Sequence, residues 1–592
     1  MSTPDRLFKI RSHMATIGVD ACIITSADPH LSEYPASHWK FRQWISGFTG
    51  SAGTVVITNE LAGLWTDSRY FLQAEQQLTD SGIDLFKMGE PGVPEFKDWL
   101  TQELHQGSVV GVNGKTMTVN DFRNLAKTLK KADIRLDAKL FIEDDIWEGR
   151  PIIPEEGVFE LDIKHTGLSR LEKIEAIRQE MKTQGATHYI VNTLDEVAWL
   201  LNFRGSDVKF NPVFHAYVII SNNQVSLFID PHKLTSSIGK QLAQEDVKIF
   251  IYDEFYNFIK DMPPLSKVLV DPARTNSAVY SFLPQQCTRL ENTSIITNLK
   301  AQKNKVEVEN FRKAMVKDGV AMANFLYWLD NTIGKEDITE HSAAEKLSTF
   351  RSEQENFHGE SFNTISGYAG NGAIVHYAVN KETAAQLQPQ GLYLIDSGGQ
   401  YSEGTTDITR TIALGELSKE EKTDFTLVLK GHIGLDKAVF PTGTRGVHLD
   451  ILARQAMWQH GINYGHGTGH GIGHFLCVHE GPQSIRPQDN GVEIKEGMIS
   501  SNEPGIYKSG KHGVRIENLI LTVNDKTTDF GSFLKFETLT LCPIDTRAID
   551  INLLNEDETA WLNNYHQKVY ELIAPLLEKD VKEWLKNSIK EI

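Results

Sequence analysis

The feature that most limits how this chain can fold is a scattered set of five side chains: Asp396, Asp407, His470, Glu503 and Glu517. Each lies in a short strand-like segment flanked by Gly or Thr. Four carboxylates and one imidazole do not gather without a cation, because like charges brought close repel and raise one another's pKa. The donor set is mostly hard oxygen with one nitrogen, which suits Mn²⁺-like ions better than a structural zinc.

Taken singly, each segment has an ordinary reading. Asp396 ends the apolar run Leu392-Tyr393-Leu394-Ile395 and precedes Ser397-Gly398-Gly399, so it either projects into a site or simply forms a turn. Asp407 lies in the β-prone run from Thr405 to Thr411, and alternation puts Thr405, Asp407 and Thr409 on one strand face, which could equally be solvated. The segment Gly465-His466-Gly467-Thr468-Gly469-His470-Gly471-Ile472-Gly473-His474 has glycine at every second position. Each interior Gly costs a helix about 1 kcal/mol relative to Ala, so extended chain is expected. Period two then places His466, His470 and His474 on one face and the glycines on the other, where a second backbone can approach closely; a flexible loop is the alternative. Pro504 forces Glu503 toward extended geometry, and Pro504-Gly505 then turns the chain. In Val514-Arg515-Ile516-Glu517-Asn518, alternation sets Arg515 on the face of Glu517, able to orient a metal-bound carboxylate; a surface ion pair is the alternative. Jointly the five segments point to two ions sharing carboxylates, the arrangement that makes hydroxide for hydrolysis at neutral pH.

The remaining chain supplies the setting. Its 592 residues exceed the roughly 250–300 that a single core supports, so several domains are expected. Landmarks recur in order: Arg6-Leu7-Phe8-Lys9-Ile10 and Arg170-Leu171-Glu172-Lys173-Ile174 open helices, and Ala21-Cys22-Ile23-Ile24 and Tyr189-Ile190-Val191 read as strands. Trp44 to Ser51 and Trp199 to Ser206 follow, then Leu64-Trp65-Thr66-Asp67 and Leu227-Phe228-Ile229-Asp230. This order predicts two similar α/β domains. Pro151 and Pro154 mark a linker, and Val308, Phe311, Met315 and Met322 recur at helical spacing and open a third domain. A last amphipathic helix is marked by Trp561, Leu562, Tyr565, Val569, Leu572 and Ile573. The expected division is 1–155, 156–300 and 301–592. A net charge of −18 argues against nucleic acid or an anionic membrane as partner. Four separated cysteines without a CxxC pair argue against a disulfide framework or a zinc ribbon. No apolar signal core follows Met1, and no run approaches the roughly 18 apolar residues of a membrane span, so a cytoplasmic location is the expectation.

These motifs resemble the pita-bread (creatinase/aminopeptidase) metallopeptidases, and among them the long three-domain Xaa-Pro aminopeptidases. The resemblance rests on Ile395-Asp396-Ser397-Gly398-Gly399, Gly404-Thr405-Thr406-Asp407-Ile408-Thr409-Arg410-Thr411, the histidine segment with His479-Glu480-Gly481-Pro482, Asn502-Glu503-Pro504-Gly505 and Arg515-Ile516-Glu517-Asn518. Trp65 to Phe71 and Leu201 to Asp207 extend it through the first half, while Asn502 and His474 depart from the usual pattern without touching a ligand position. The resemblance implies an α/β (α+β) chain: two creatinase-N-like domains, then a pita-bread catalytic domain with a C-terminal helical extension. It implies Asp396 on one metal, His470 and Glu503 on the other, and Asp407 and Glu517 bridging both, with a hydroxide between the ions attacking the peptide. His376, in Gly372-Ala373-Ile374-Val375-His376-Tyr377, resembles the histidine that contacts substrate and steadies the tetrahedral intermediate. His466 and His479 resemble histidines that line the site and help proton movement, and Arg69 a peptide-contacting residue. The implied cofactor is two divalent ions, Mn²⁺ first and Zn²⁺ or Co²⁺ as alternatives. The implied substrate is a peptide with proline second, and the implied assembly a homodimer.

Within the same fold, prolidase and methionine aminopeptidase are the rivals, and the doubled front half disfavours both. A non-catalytic peptide-binding member of the fold is a third, disfavoured because all five ligand positions are filled.

Overall fold

The computed structural model describes residues 1–592. By contacts the chain divides into two compact units. The first comprises Met1–Glu160, Leu168–Lys209 and Val213–Ile296; the second comprises Leu161–Gly167, Phe210–Pro212 and Thr297–Ile592.

The repeat seen in the sequence is a repeat of topology within the first unit. Its two six-stranded sheets share one strand order: Asp84–Lys87, Ala62–Thr66, Thr54–Thr58, Ala21–Ile24, Val109–Val112, Arg135–Asp137 in one, and Val247–Phe250, Val225–Ile229, Ala216–Ser221, His188–Val191, Lys267–Val270, Thr288–Glu291 in the other. The parallel and antiparallel pairings also correspond strand for strand. The helix before each sheet starts the same way. Ser2 and Ser169 each cap the amide three residues on, and Asp5 and Glu172 return to the cap backbone, satisfying amides that the first turn leaves unpaired. The two sheets are joined by buried polar contacts: Asn276 Nδ2 donates to the Pro29 carbonyl at 2.7 Å, and the His30 ring lies between the Asn192 carbonyl at 2.7 Å and the Tyr252 hydroxyl at 2.8 Å.

The second unit opens with the helix Lys305–Thr332, capped by Asn304, and Phe311, Met315 and Met322 on its expected apolar stripe are buried. Ile365–Tyr368, Leu392–Ser397 and Ile408–Ala413 form one antiparallel sheet. The last two of these strands are buried along their whole length, which explains why their sequences do not alternate with a polar face. A six-stranded sheet runs Val439–Pro441, Gly531–Thr538, Asn518–Thr528, Ile499–Asn502, Gly469–Gly471, Glu480–Ile485. Gly505–Lys508 and His512–Arg515 form a hairpin. Phe425, Val428, Leu429, Leu562, Val569 and Ile573, on helices Lys419–Asp436 and Glu556–Ile573, share one core with Leu392, Val514 and Ile516, each contributing about 1.5–3 kcal/mol by burial. No helix of the chain is long and apolar enough to cross a membrane.

Candidate metal centre

Backbone pairing in the second unit delivers the five side chains. Asn502 pairs with Asn518 in an antiparallel ladder, so Glu503, just past one strand, comes opposite Glu517, just before the other. Gly471 pairs with Ser500, bringing His470 beside Ser501, whose Oγ accepts the His470 amide at 3.0 Å and donates to Glu503 Oε1 at 3.3 Å. Asp396 pairs across the strands with Thr409, and the Thr409 hydroxyl donates to Glu517 Oε2 at 2.8 Å while its carbonyl accepts the Glu517 amide at 3.1 Å.

Ligand atoms of Asp407, His470 and Glu517 all lie within 4.8 Å of one another. His470 Nε2 stands 3.6 Å from Asp407 Oδ2 and 3.5 Å from Glu503 Oε1. Those separations are too long for good hydrogen bonds. They are the spacing of donors that share one cation at about 2.0–2.2 Å each. The other ring nitrogen, Nδ1, lies 3.0 Å from the Gly471 carbonyl, which orients the imidazole with Nε2 toward the acids. Asp396 presents Oδ2 to the Arg515 guanidinium at 2.7 Å, and its Oδ1 is buried without a hydrogen-bond partner.

Electrostatics give the same account. Burial, then Glu517, Asp396 and Glu503, hold the Asp407 carboxyl well above its ordinary range, and Arg515 offsets only part of this. Burial and Glu517 do the same to Glu503. Burial and then Asp396 push Glu517 up to about 8, against the Thr409 hydrogen bond, Arg515 and His479. Acids so crowded are stable as anions only beside added positive charge, so the residues fit a cation pair.

The expected strand phases are only partly realised. The glycine-histidine segment is a strand only over Gly469–Gly471. There the close approach does occur: a Cβ at Gly469 would strike the Ser501 carbonyl and one at Gly471 the Glu480 carbonyl. His474 is buried edge-on against Phe311 beyond the strand. The chain also leaves strand geometry at Thr406–Asp407 and at Ile516–Glu517, so the alternation expected through 405–411 and 514–521 is broken at both acids. Arg515 consequently pairs directly with Asp396 and reaches Glu517 through Thr409, whose Oγ1 accepts from Arg515 Nε at 3.1 Å.

Of the remaining expected residues, His479 packs edge-on to His470 with ring centroids 4.4 Å apart. His466 Nε2 lies 2.8 Å from the Tyr507 hydroxyl, which also accepts from Arg515 Nη1 at 2.7 Å. His376 is half-buried in the turn after Val375, whose carbonyl is 3.4 Å from Arg515 Nη2. Arg69 belongs to the first unit, where its guanidinium forks onto Asp67 with two contacts of 2.7 Å. The sequence reading assigns no role to Tyr507, Thr409 or Arg410. Arg410 is buried and donates to the carbonyls of Thr409 and Glu517 at 2.9 and 2.7 Å, bracing the backbone that carries the acids. Its signal was a lone charge inside the otherwise uncharged strand Ile408–Ala413.

Comparison with known proteins agrees with this geometry. Residues 309–524 match metallopeptidase family M24, and 532–592 match the C-terminal region of that peptidase family. Residues 6–143 and 149–307 each match a creatinase/prolidase N-terminal domain. The chain is 42% identical to a probable Xaa-Pro aminopeptidase P of Coprinopsis cinerea, covering 99% of this chain and 98% of that one. It is 38% identical to the Xaa-Pro aminopeptidase ApepP of Drosophila melanogaster, covering 97% and 96%. Among solved structures, the X-prolyl aminopeptidase of Caenorhabditis elegans, described as a cytosolic enzyme with a di-nuclear active site, superposes with a TM-score of 0.95 at 35% identity over 100% of both chains. An Xaa-Pro dipeptidase of Bacillus anthracis shares the fold over 64% of this chain and 99% of its own (TM-score 0.51, 23% identity).

Proposed function

The chain belongs to metallopeptidase family M24 and is a metal-dependent aminopeptidase that releases the residue preceding proline, and we propose that Asp396, Asp407, His470, Glu503 and Glu517 hold its two divalent ions. One observation carries the assignment: ligand atoms of Asp407, His470 and Glu517 meet within 4.8 Å, and burial and then neighbouring carboxylates raise the pKa of both acids. In this reading Asp407 and Glu517 would be shared by both ions, Asp396 would hold one, and His470 and Glu503 would hold the other. The hard-oxygen donor set favours Mn²⁺ over Zn²⁺ or Co²⁺. When bound, the ions supply Lewis acidity and lower the pKa of water to give a nucleophile at neutral pH.

The rest of the work falls to this chain's side chains. Arg515 holds Asp396 in place and, through Thr409, fixes Glu517, so the acids present their free oxygens without rearrangement. His466, tied through Tyr507 to Arg515, and His479, edge-on to His470, are placed to take and return a proton. His376 steadies the negative charge that develops on the scissile carbonyl. Arg69 contacts the peptide; that reading rests on its motif. An Xaa-Pro bond lacks an amide hydrogen, so a site that relies on carboxylates, cations and imidazoles rather than on a substrate N–H can accept it.

The domain division that fits this reading is 1–155, 156–300 and 301–592; family matches over 6–143, 149–307 and 309–524 support its three-part order. A cytoplasmic location is supported by the buried thiols of Cys22, Cys287 and Cys542, which are not joined in disulfides. The proposed assembly is a homodimer, checked by light scattering. The decisive assay is Arg-Pro-Pro with protein first chelated, then reloaded with Mn²⁺. Release of Arg, lost in Glu517→Gln, is expected. Cleavage of Xaa-Pro dipeptides alone would make the enzyme a prolidase, and an active Glu517→Gln protein would overturn the ligand set.

A further inference from the structure

The segment 368–385 carries His376 and is largely without regular structure, yet it is tied down at four points by one side chain. Glu340, the first residue of the helix Glu340–Ser352, is fully buried. Its Oε1 accepts from the Tyr368 amide at 2.7 Å and from Asn371 Nδ2 at 3.0 Å. Its Oε2 accepts from the Tyr377 hydroxyl at 3.0 Å and the Ala385 amide at 2.8 Å. The Glu340 backbone continues the clamp, its amide donating to the Ala385 carbonyl at 2.9 Å and its carbonyl accepting from Ser366 Oγ at 2.6 Å.

On the opposite side the segment meets the metal-site scaffold. A Cβ on Gly513 would strike the Gly372 carbonyl, so that backbone lies directly against the hairpin leading to Arg515. Arg515 Nη2, which holds Asp396, is 3.4 Å from the Val375 carbonyl. His376 therefore sits between two fixed neighbours, Val375 on Arg515 and Tyr377 on Glu340. A turn with so little secondary structure samples many conformations unless something removes them. Here a single buried carboxylate, an acceptor with room for four donors, does so.

We propose that Glu340 is a positioning residue for peptide hydrolysis, fixing the 368–385 segment so that His376 is presented in one conformation. The proposal rests on the role read for His376 above. Kinetics of Mn²⁺-loaded protein on an Xaa-Pro peptide test both, using Glu340→Gln, His376→Ala and the double variant. Gln keeps the size but replaces one acceptor oxygen with a donor that faces N–H and O–H groups. Glu340→Gln is expected to lower kcat on the order of 10–100-fold, the cost of a misplaced catalytic group, with KM changed less than about threefold. Metal content by mass spectrometry should stay at the wild-type value, and amide exchange should quicken in 368–385 alone. The double variant should be no more than about threefold slower than His376→Ala, because the two residues act as one unit. If His376→Ala keeps wild-type kcat, the His376 reading fails and takes the proposal with it. If His376→Ala is slow but Glu340→Gln is silent, or its effect persists in full without His376, the positioning role alone is refuted. If Glu340→Gln does not fold, Tyr377→Phe removes one donor of the four. It should show a smaller kcat loss with the same non-additivity, and an additive loss refutes the proposal.

Discussion

Loading the metal-free protein with Mn²⁺ should expel protons, and the number expelled should fall as pH rises. Burial and then Asp396 push Glu517 up to about 8 in the ion-free protein, so at pH 7 it is largely protonated. Asp407 and Glu503 are pushed in the same direction by burial and by their acidic neighbours. They do not each hold a full proton, because the first proton bound removes a charge that was raising the others. Between about one and two protons per chain should therefore leave at pH 6–7, when the carboxylates become ligands. Apparent affinity should climb roughly 10- to 100-fold per pH unit across that range and level off above about pH 9.

The linked effect on stability has a definite sign. A carboxyl whose folded pKa is raised contributes stability that is complete below its unfolded pKa, about 4.3, and is lost as pH climbs through the folded value. For Glu517 that window runs from about pH 4.3 to about 8, and its isolated contribution is on the order of 5 kcal/mol. Chelated protein should thus lose thermal stability from pH 5 to pH 8.5 relative to Glu517→Gln, which cannot titrate there. Calorimetric Mn²⁺ titrations in buffers of different ionisation enthalpy count the protons. Release below about 0.3 proton at pH 6.5 would refute the reasoning.

Two further substitutions probe the supports. Tyr507→Phe removes the hydroxyl between His466 and Arg515, a hydroxyl that burial keeps protonated to about pH 12. It should cost about tenfold in kcat/KM, the worth of one well-placed hydrogen bond, with both ions retained; unchanged kinetics would remove His466 from the proton path. Glu480→Gln removes the carboxylate charge that faces the buried Lys300 and Lys303 at 2.8 and 3.4 Å, while Lys303 keeps the Lys300 carbonyl at 2.9 Å. Removing the counter-charge shared by two buried cations should cost about 3–5 kcal/mol, seen as a Tm lower by roughly 5–10 °C. A shift under about 2 °C would show that the pair is already compensated.

The scaffold was more legible in the sequence than the site's geometry, for a physical reason. Periodicity reports what a long element buries, so Phe311, Met315 and Met322 announced their helix, and the ordered landmarks announced the doubled sheets. The proposed ligands obey no such rule. Asp407, Glu503 and Glu517 all sit just outside strands, where no ladder sets the phase of a side chain, and alternation misjudged the surroundings of Asp407 and Glu517 for that reason. What aims Glu503 at Glu517 is the pairing of Asn502 with Asn518, a fact about two strands that neither strand carries alone. Chemistry-bearing residue types flanked by Gly, Thr and Pro revealed that these positions matter, and only strand register reveals why they meet. Glu340 marks the far limit. Its donors come from positions 368, 371, 377 and 385, and two of them are backbone amides with no sequence signature at all. A helix-opening Glu has a sufficient local explanation in the helix dipole, so nothing in the sequence asks for a second role. Residues that order a catalytic loop through its backbone are therefore the class most easily missed by reading a chain, and the class for which a structure adds most.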